Sequence, residues 1–340
     1  MSYAAEVIVT ENVPLAAHTT LGLGGAARYW VEITGEADVP EALAWAAGRA
    51  LEVLPLGAGS NVLASDAGFA GLVLHLALRG EHDLGAGRVR VSAGENWDAF
   101  TARCVARGWA GVECLSGIPG SIGAVPVQNV GAYGQEVAAS ITAVRAWDRQ
   151  RGAWAELPAA ACGFAYRSSR FNGVDRGRFL ITAVEFALRP GASATVHYPE
   201  LQQRLGADAS LAAVRETVLA IRRGKAMVLA PGEPDCRSAG SFFKNPVLAA
   251  AAAPPGAPQY PGGDGRVKIP AAWLIEHAGF TKGFRLPGSG IHLSTKHVLA
   301  LVNDGTGTAA QALALAEHIR QAVAARWGVR LAVEPALIGF

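Results

Sequence analysis

Short apolar runs separated by glycine-rich turns recur from residue 16 to residue 190. YWVEIT, LEVLPLGAGSNVL, GLVLHLAL and RVRVSAG read as strands, and EALAWAAGRA carries the spacing of a helix. This alternation predicts an α+β or α/β arrangement. Leu211, Val214, Val218, Leu219 and Ile221 put apolar side chains on one stripe, so 211–223 is expected to be a helix, with a new unit beginning close behind it. Beyond that, IPAAWLIEHAGF predicts a helix stopped at Gly279, HVLALVN a strand, 308–327 a long amphipathic helix and VRLAVEPALIG a last strand. AAAAAPPGAPQYPGGDG, residues 249–265, has too little apolar content to pack and is expected to be a surface loop. No internal repeat and no transmembrane run interrupts the pattern.

Composition narrows the picture. With 340 residues, 51% of them hydrophobic, the chain can fill two or three cores. A net charge of +2, spread over scattered basic residues, gives no stripe for nucleic acid or a membrane surface, so small molecules are the expected partners. Cys104, Cys114, Cys162 and Cys236 form no CxxC pair and have no histidine at zinc spacing. MSYAAEVIVTENVPL lacks a basic n-region and a long apolar run, which together with the cysteines points to a reduced, cytoplasmic protein.

The glycines carry candidate chemistry. LGLGGAA contains a GxGxxA match, but AAHTT precedes it and the strand-like RYWVEIT follows, the reverse of a dinucleotide fingerprint. PLGAGSNVLASDAGFAGLVL lies between two strands, so Gly57, Gly59, Ser60 and Asn61 are expected either to turn backbone N–H groups towards a pyrophosphate or to form an ordinary hairpin loop. GVECLSGIPGSIGAVPVQNVGAYGQEV, residues 111–137, is poor in charge and dense in Gly and Pro. It reads as a wall around something flat and apolar, with Glu113, Ser116, Gln128 and Asn129 as polar groups for a ring edge. AGSFFKNP sets Ser241 beside two phenylalanines without the glycines of a nucleophile elbow. Alone it reads as a small polar residue opening a buried strand.

Taken in series, HTTLGLGGAARYW, PLGAGSNVLASD, LSGIPGSIGAVPVQNVGAYGQEV, FAYRSSRF, AGSFFKNP, IPAAWLIEHAGFTKG and VEPALIG resemble the UDP-N-acetylenolpyruvoylglucosamine reductases, flavoproteins of bacterial cell-wall precursor synthesis. The resemblance implies an α+β fold. It would hold an FAD-binding domain of the vanillyl-alcohol-oxidase (PCMH) type in two subdomains, 1–75 and 76–225, rejoined by a terminal strand at 329–340. An α+β substrate-binding domain would occupy 226–328. It also implies non-covalent FAD, NADPH as co-substrate, a monomer, and the family's longer form, with the extra loop's tyrosine at Tyr198 in HYPELQQRLG.

On matching positions the resemblance implies three catalytic residues. Arg167 would hold the substrate carboxylate in its planar fork, Ser241 would donate a proton, and Glu334 would polarise a water or hold the enol. Cofactor contacts would come from Gly57, Ala58, Gly59, Ser60 and Asn61 in the first loop. In the wall they would come from Ser116, Gly117, Pro119, Gly120, Ser121 and Gly123, then from Gln128, Asn129, Gly131, Ala132 and Tyr133. Tyr198, Lys225, Lys244 and Asn245 would contact the UDP-sugar. His292 and His297 stand five residues apart with no carboxylate or cysteine beside them, so no metal is assigned. The competing readings are an FAD oxidase of a small alcohol and a nucleotide-binding regulator with an inactive site.

Overall fold

Parallel pairing sets the first sheet apart from a run of hairpins. In the computed structural model, which describes residues 7–206 and 209–340, Val53–Leu56 lies parallel to Phe69–Leu76. Two strands joined by a tight hairpin cannot pair that way, so the glycine loop after Leu56 is no hairpin turn. The sheet runs in the order Val9–Pro14, Ala26–Ile33, Phe69–Leu76, Val53–Leu56. Helix Asp38–Ala47 buries Val39, Ala42 and Ala46 in a core shared with Val31, Ile33, Leu72 and Leu74.

A second sheet is antiparallel throughout: Ala153–Pro158, Ile141–Asp148, Phe179–Ala187, Arg88–Ser92 and Glu81–Gly85 in that order. The strand Phe179–Ala187 is buried almost end to end, as a central strand must be. Trp97 and Phe100 of helix Trp97–Ala106 pack with Phe186, Val89, Val91 and Val184 in its core. These elements make one compact unit, 7–13 with Ala27–Ala58 and Ala70–Arg223.

The other unit is Pro14–Ala26, Gly59–Phe69 and Gly224–Phe340. Ile291–Leu293 pairs antiparallel with Leu301–Asn303, and Ala336–Ile338 pairs parallel with Val62–Ala64. Helix Ala309–Trp327 starts at a capping box between Thr308 and Gln311, and the Asp66 carboxylate accepts from the N–H groups of Ala309 and Ala310 at 2.7 and 2.9 Å. Its core joins Leu21, Leu23 and Leu63 to Phe242, Phe243, Leu274, Ile291, Leu315 and Ile319. The alanine- and proline-rich stretch is more ordered than its composition predicts. Val247–Ala249, Tyr260–Pro261 and Arg266–Lys268 form a small sheet, and Ala257 is buried. Backbone pairing does there what side chains could not. The two units together give the α+β class expected from the sequence.

Candidate active site

The first glycine loop is divided between the units. Gly57 and Ala58 belong to the first, where a Cβ on Gly57 would drive into the Ser121 hydroxyl. Gly59, Ser60 and Asn61 belong to the second. Gly59 takes φ +60°, its carbonyl accepts from Thr20 N–H at 3.0 Å, and a Cβ would overlap the His18 carbonyl oxygen. The chain's own packing therefore demands glycine at 59, before any ligand does.

The wall is pinned to the first unit's helix Trp97–Ala106. Asn96 caps that helix by accepting from Ala99 N–H at 2.9 Å, and it bridges to Ser121. Trp97 N–H donates to the Gly120 carbonyl at 3.1 Å, and Gly123 N–H to the Ala93 carbonyl at 2.9 Å. Asp98 does more: its carboxylate accepts from Gly117 N–H at 2.6 Å and from both Nη atoms of Arg215, at 2.6 and 3.0 Å. Burial alone would raise this carboxyl, but the Arg215 fork and the Gly117 N–H outweigh it and hold the carboxyl below its ordinary value. Asp98 thus ties the wall to helix Leu211–Gly224.

Three of the four polar groups expected to address a ring edge turn inward instead, and the fourth, Gln128, is half-buried. Glu113 is wholly buried. Its Oε2 accepts from Gly111 N–H at 2.6 Å, and Oε1 meets no hydrogen-bond partner among the described residues. Ser116 is also buried and donates its hydroxyl to the Glu113 carbonyl at 2.7 Å. The Asn129 amide is committed to Glu136, Ala165 and Ala138. What the wall offers a ligand is accordingly its backbone and its apolar surface. Between 117 and 134 only Tyr133 carries an ionisable side chain. Positive φ at Gly117, Gly120, Asn129 and Tyr133 repeatedly reverses the peptide planes, the geometry that gathers N–H groups into concavities. An uncharged wall with such turns fits a flat apolar ring joined to a diphosphate.

Arg167 sits half-buried in the first unit at φ 51°, in a four-residue turn closed by bonds between Ala165 and Ser168 in both directions, at 2.9 and 3.1 Å. Its Nη2 donates to the Gly131 carbonyl at 2.8 Å, and its guanidinium lies 5.5 Å from the Tyr166 ring centroid. In the same unit Tyr198 meets Tyr133 edge to face at 5.4 Å, ahead of helix Pro199–Leu205. The Arg222 guanidinium is buried and hydrogen-bonds the Tyr133 hydroxyl; burial pushes Arg222 down and Tyr133 up.

An isolated backbone bridge in the second unit brings the segments of Ser241 and Glu334 side by side. Phe243 pairs antiparallel with Val333, Glu334 N–H donates to the Phe242 carbonyl at 2.9 Å, and Lys244 N–H to the Ala332 carbonyl at 2.9 Å. Phe242 and Phe243, fully buried, anchor the bridge and leave Ser241 half-buried before them. Asn245 spends its carbonyl oxygen on Ala271 N–H at 2.8 Å, capping helix Ala271–His277. Lys225 and Lys244 are both half-buried. His292 is buried and His297 half-buried; burial, with Lys225 and Lys282 nearby, pushes the His297 imidazole down to about 4. Among the described residues no three His, Cys, Asp or Glu gather as metal ligands, and no helix is long and apolar enough to cross a membrane.

Comparison with known proteins gives this arrangement its class. The family model for an FAD binding domain matches residues 27–157, and that for the UDP-N-acetylenolpyruvoylglucosamine reductase C-terminal domain matches 232–338. The chain is a flavin-dependent oxidoreductase. It is 46% identical over 354 residues to the UDP-N-acetylenolpyruvoylglucosamine reductase of Thermobifida fusca (strain YX), covering 96% of this chain and 97% of that one. To the enzyme of the same description from Nocardia farcinica (strain IFM 10152) it is 48% identical over 353 residues, covering 97% and 90%. The chain belongs to the UDP-N-acetylenolpyruvoylglucosamine reductase family. A crystal structure of the reductase from Thermus caldophilus shares the fold, with TM-score 0.68 at 24% identity over 98% of each chain.

Proposed function

We propose that this chain uses NADPH to reduce the enolpyruvyl group of UDP-N-acetylenolpyruvoylglucosamine to the lactyl ether of UDP-N-acetylmuramate. FAD, when bound, supplies the hydride relay from NADPH to C3 of the enolpyruvyl group. The chain's own residues do the rest. Hydride arrival at C3 leaves charge at C2 that spreads into the adjoining carboxylate, so a fixed cation there stabilises the transition state more than the ground state. Arg167 is that cation, and its fork accepts a carboxylate in two parallel bonds. Ser241 places the proton on C2, and Glu334, on the bridged segment, holds the water that restores the serine hydroxyl. The observation that carries this reading is the backbone bridge that sets Glu334 against Phe242, next to Ser241.

The loop 57–61 and the backbone and apolar surface of the wall 116–133 are assigned to FAD, with Asn129 as internal support, and residues 226–328 to the UDP-sugar. Lys225, Lys244 and Asn245 are assigned to the diphosphate and sugar, and Tyr198 to the same nucleotide. Asn245 keeps its amide N–H groups for that role, since its oxygen is bonded to the helix.

Separating the half-reactions tests the assignment of Ser241. Bleaching of the flavin by NADPH needs no acid at C2, whereas reoxidation by the enolpyruvyl substrate does, and a positioned acid is worth about 10² to 10⁴ in rate. Ser241→Ala is expected to bleach within a few-fold of wild type and to reoxidise slower by about that factor. Reoxidation at the wild-type rate would transfer the proton to water or to Glu334.

A further inference from the structure

Arginine at positive φ is uncommon, because its Cβ crowds the following carbonyl and the residue gains nothing from the left-handed region as glycine would. Arg167 takes that conformation at 51°, and bonds from outside its turn hold it there. The Ala165 carbonyl accepts from Ser168 N–H at 3.1 Å and again from Asn129 Nδ2 at 3.2 Å. The Arg167 carbonyl accepts from Asn172 Nδ2 at 3.3 Å, and Asn172 Oδ1 in turn accepts from Ser169 N–H at 2.9 Å. Asn129 is itself fixed: 1% exposed, left-handed at φ 46°, its second amide hydrogen on Glu136 Oε2 at 2.8 Å and its oxygen on Ala138 N–H at 3.1 Å. Two residues further on, the Gly131 carbonyl receives the Arg167 fork. One short segment, 129–131, thus holds both ends of Arg167, its turn through Asn129 and its guanidinium through Gly131.

We propose that Asn129 is a positioning residue for the substrate carboxylate, acting through Arg167 rather than by touching substrate or flavin. The proposal rests on the reading of Arg167 as the carboxylate-binding cation. Loss of the Asn129 donor frees the 165–168 turn to relax towards ordinary negative φ. The guanidinium then swings away from the position at which a carboxylate meets both of its N–H edges, and a displacement of about 1 Å is enough to lose most of a fixed geometry's advantage.

The test compares two nucleotides that differ at this point: UDP-N-acetylmuramate carries the lactyl carboxylate and UDP-N-acetylglucosamine does not. Calorimetric titration of the FAD-loaded enzyme is expected to show Asn129→Ala binding UDP-N-acetylmuramate about tenfold more weakly, with UDP-N-acetylglucosamine within about twofold of wild type. Asn172→Ala, which removes the donor to the Arg167 carbonyl and leaves Asn129 and its bond to Glu136 in place, should weaken UDP-N-acetylmuramate selectively as well. Arg167→Lys should lose at least as much, and adding Asn129→Ala to it should cost little more, because the two losses share one cause. Equal weakening of both nucleotides by Asn129→Ala would mark the residue as general support for the fold and overturn the proposal. If Arg167→Lys fails to distinguish the nucleotides, the carboxylate reading itself falls. If it distinguishes them and Asn129→Ala does not, only the positioning role falls. Should Asn129→Ala not fold, Asn172→Ala carries the same comparison.

Discussion

Residues that look alike in the sequence are used in opposite ways. Arg167 and Arg222 are both half or more enclosed, yet Arg167 points its fork at a backbone carbonyl of the wall, Gly131, while Arg222 is buried against the Tyr133 phenol. His297 gives the clearest solution signature at this scale. Burial, with Lys225 and Lys282 beside it, pushes its imidazole from the ordinary 6.5 down to about 4. Between those pH values the unfolded chain takes up a proton that the folded one refuses. Its contribution is therefore complete above pH 6.5 and is lost as pH falls towards 4, up to about 3 kcal/mol in all. His297→Gln is expected to flatten the difference in urea stability between pH 7.5 and pH 5. An unchanged difference would mean that the histidine titrates normally in the fold.

Among the elements, helix Leu211–Gly224 and the last long helix, expected over 308–327, were legible from their apolar spacing, and the structure adds the capping box of Thr308 and Gln311 at the start of the second. Strand partners were not legible. Nothing local in PLGAGSNVL says that Val62–Ala64 pairs with Ala336–Ile338, because a three-residue strand carries too little pattern to name a partner so distant in the chain. The candidate site divides in the same way. The motifs mark candidate stretches but not how their side chains turn: Ser116, Glu113 and Asn129 turned inward because a buried polar group bonds wherever a partner lies. Nor did the sequence mark Asp98, whose partners Gly117 and Arg215 lie far along the chain. Asp98→Asn keeps the shape and removes the charge that Arg215 faces. It is expected to lower stability in urea by about 1 to 3 kcal/mol and to speed FAD release, read as recovery of free-flavin fluorescence. Flavin release at the wild-type rate would show that the wall keeps its shape without this strut.

At the scale of the whole molecule, the two compact units do not follow the chain's order. Residues 14–26 and 59–69 lie in the first quarter of the sequence, yet they fold with Gly224–Phe340. They supply Leu21, Leu23 and Leu63 to that core, the strand that receives Ala336–Ile338, and the Asp66 carboxylate at the start of helix Ala309–Trp327. A fragment of residues 224–340 lacks all three. It is expected to show no cooperative thermal transition by circular dichroism, and to gain one when a peptide of residues 14–69 is supplied in excess; a sharp transition in the fragment alone would contradict this. The same arrangement governs how the chain is made. Asn61 bonds to Glu334 across 273 residues, and at about 5 to 20 residues per second the ribosome takes tens of seconds to deliver the second after the first. For that interval the strand Val62–Ala64 and the leucines around it wait, sticky and unsatisfied, in the company of whatever the cell holds. Birth is the hazardous stage of this enzyme's life, and a holdase that shields the emerging residues 14–69 is expected to raise its yield.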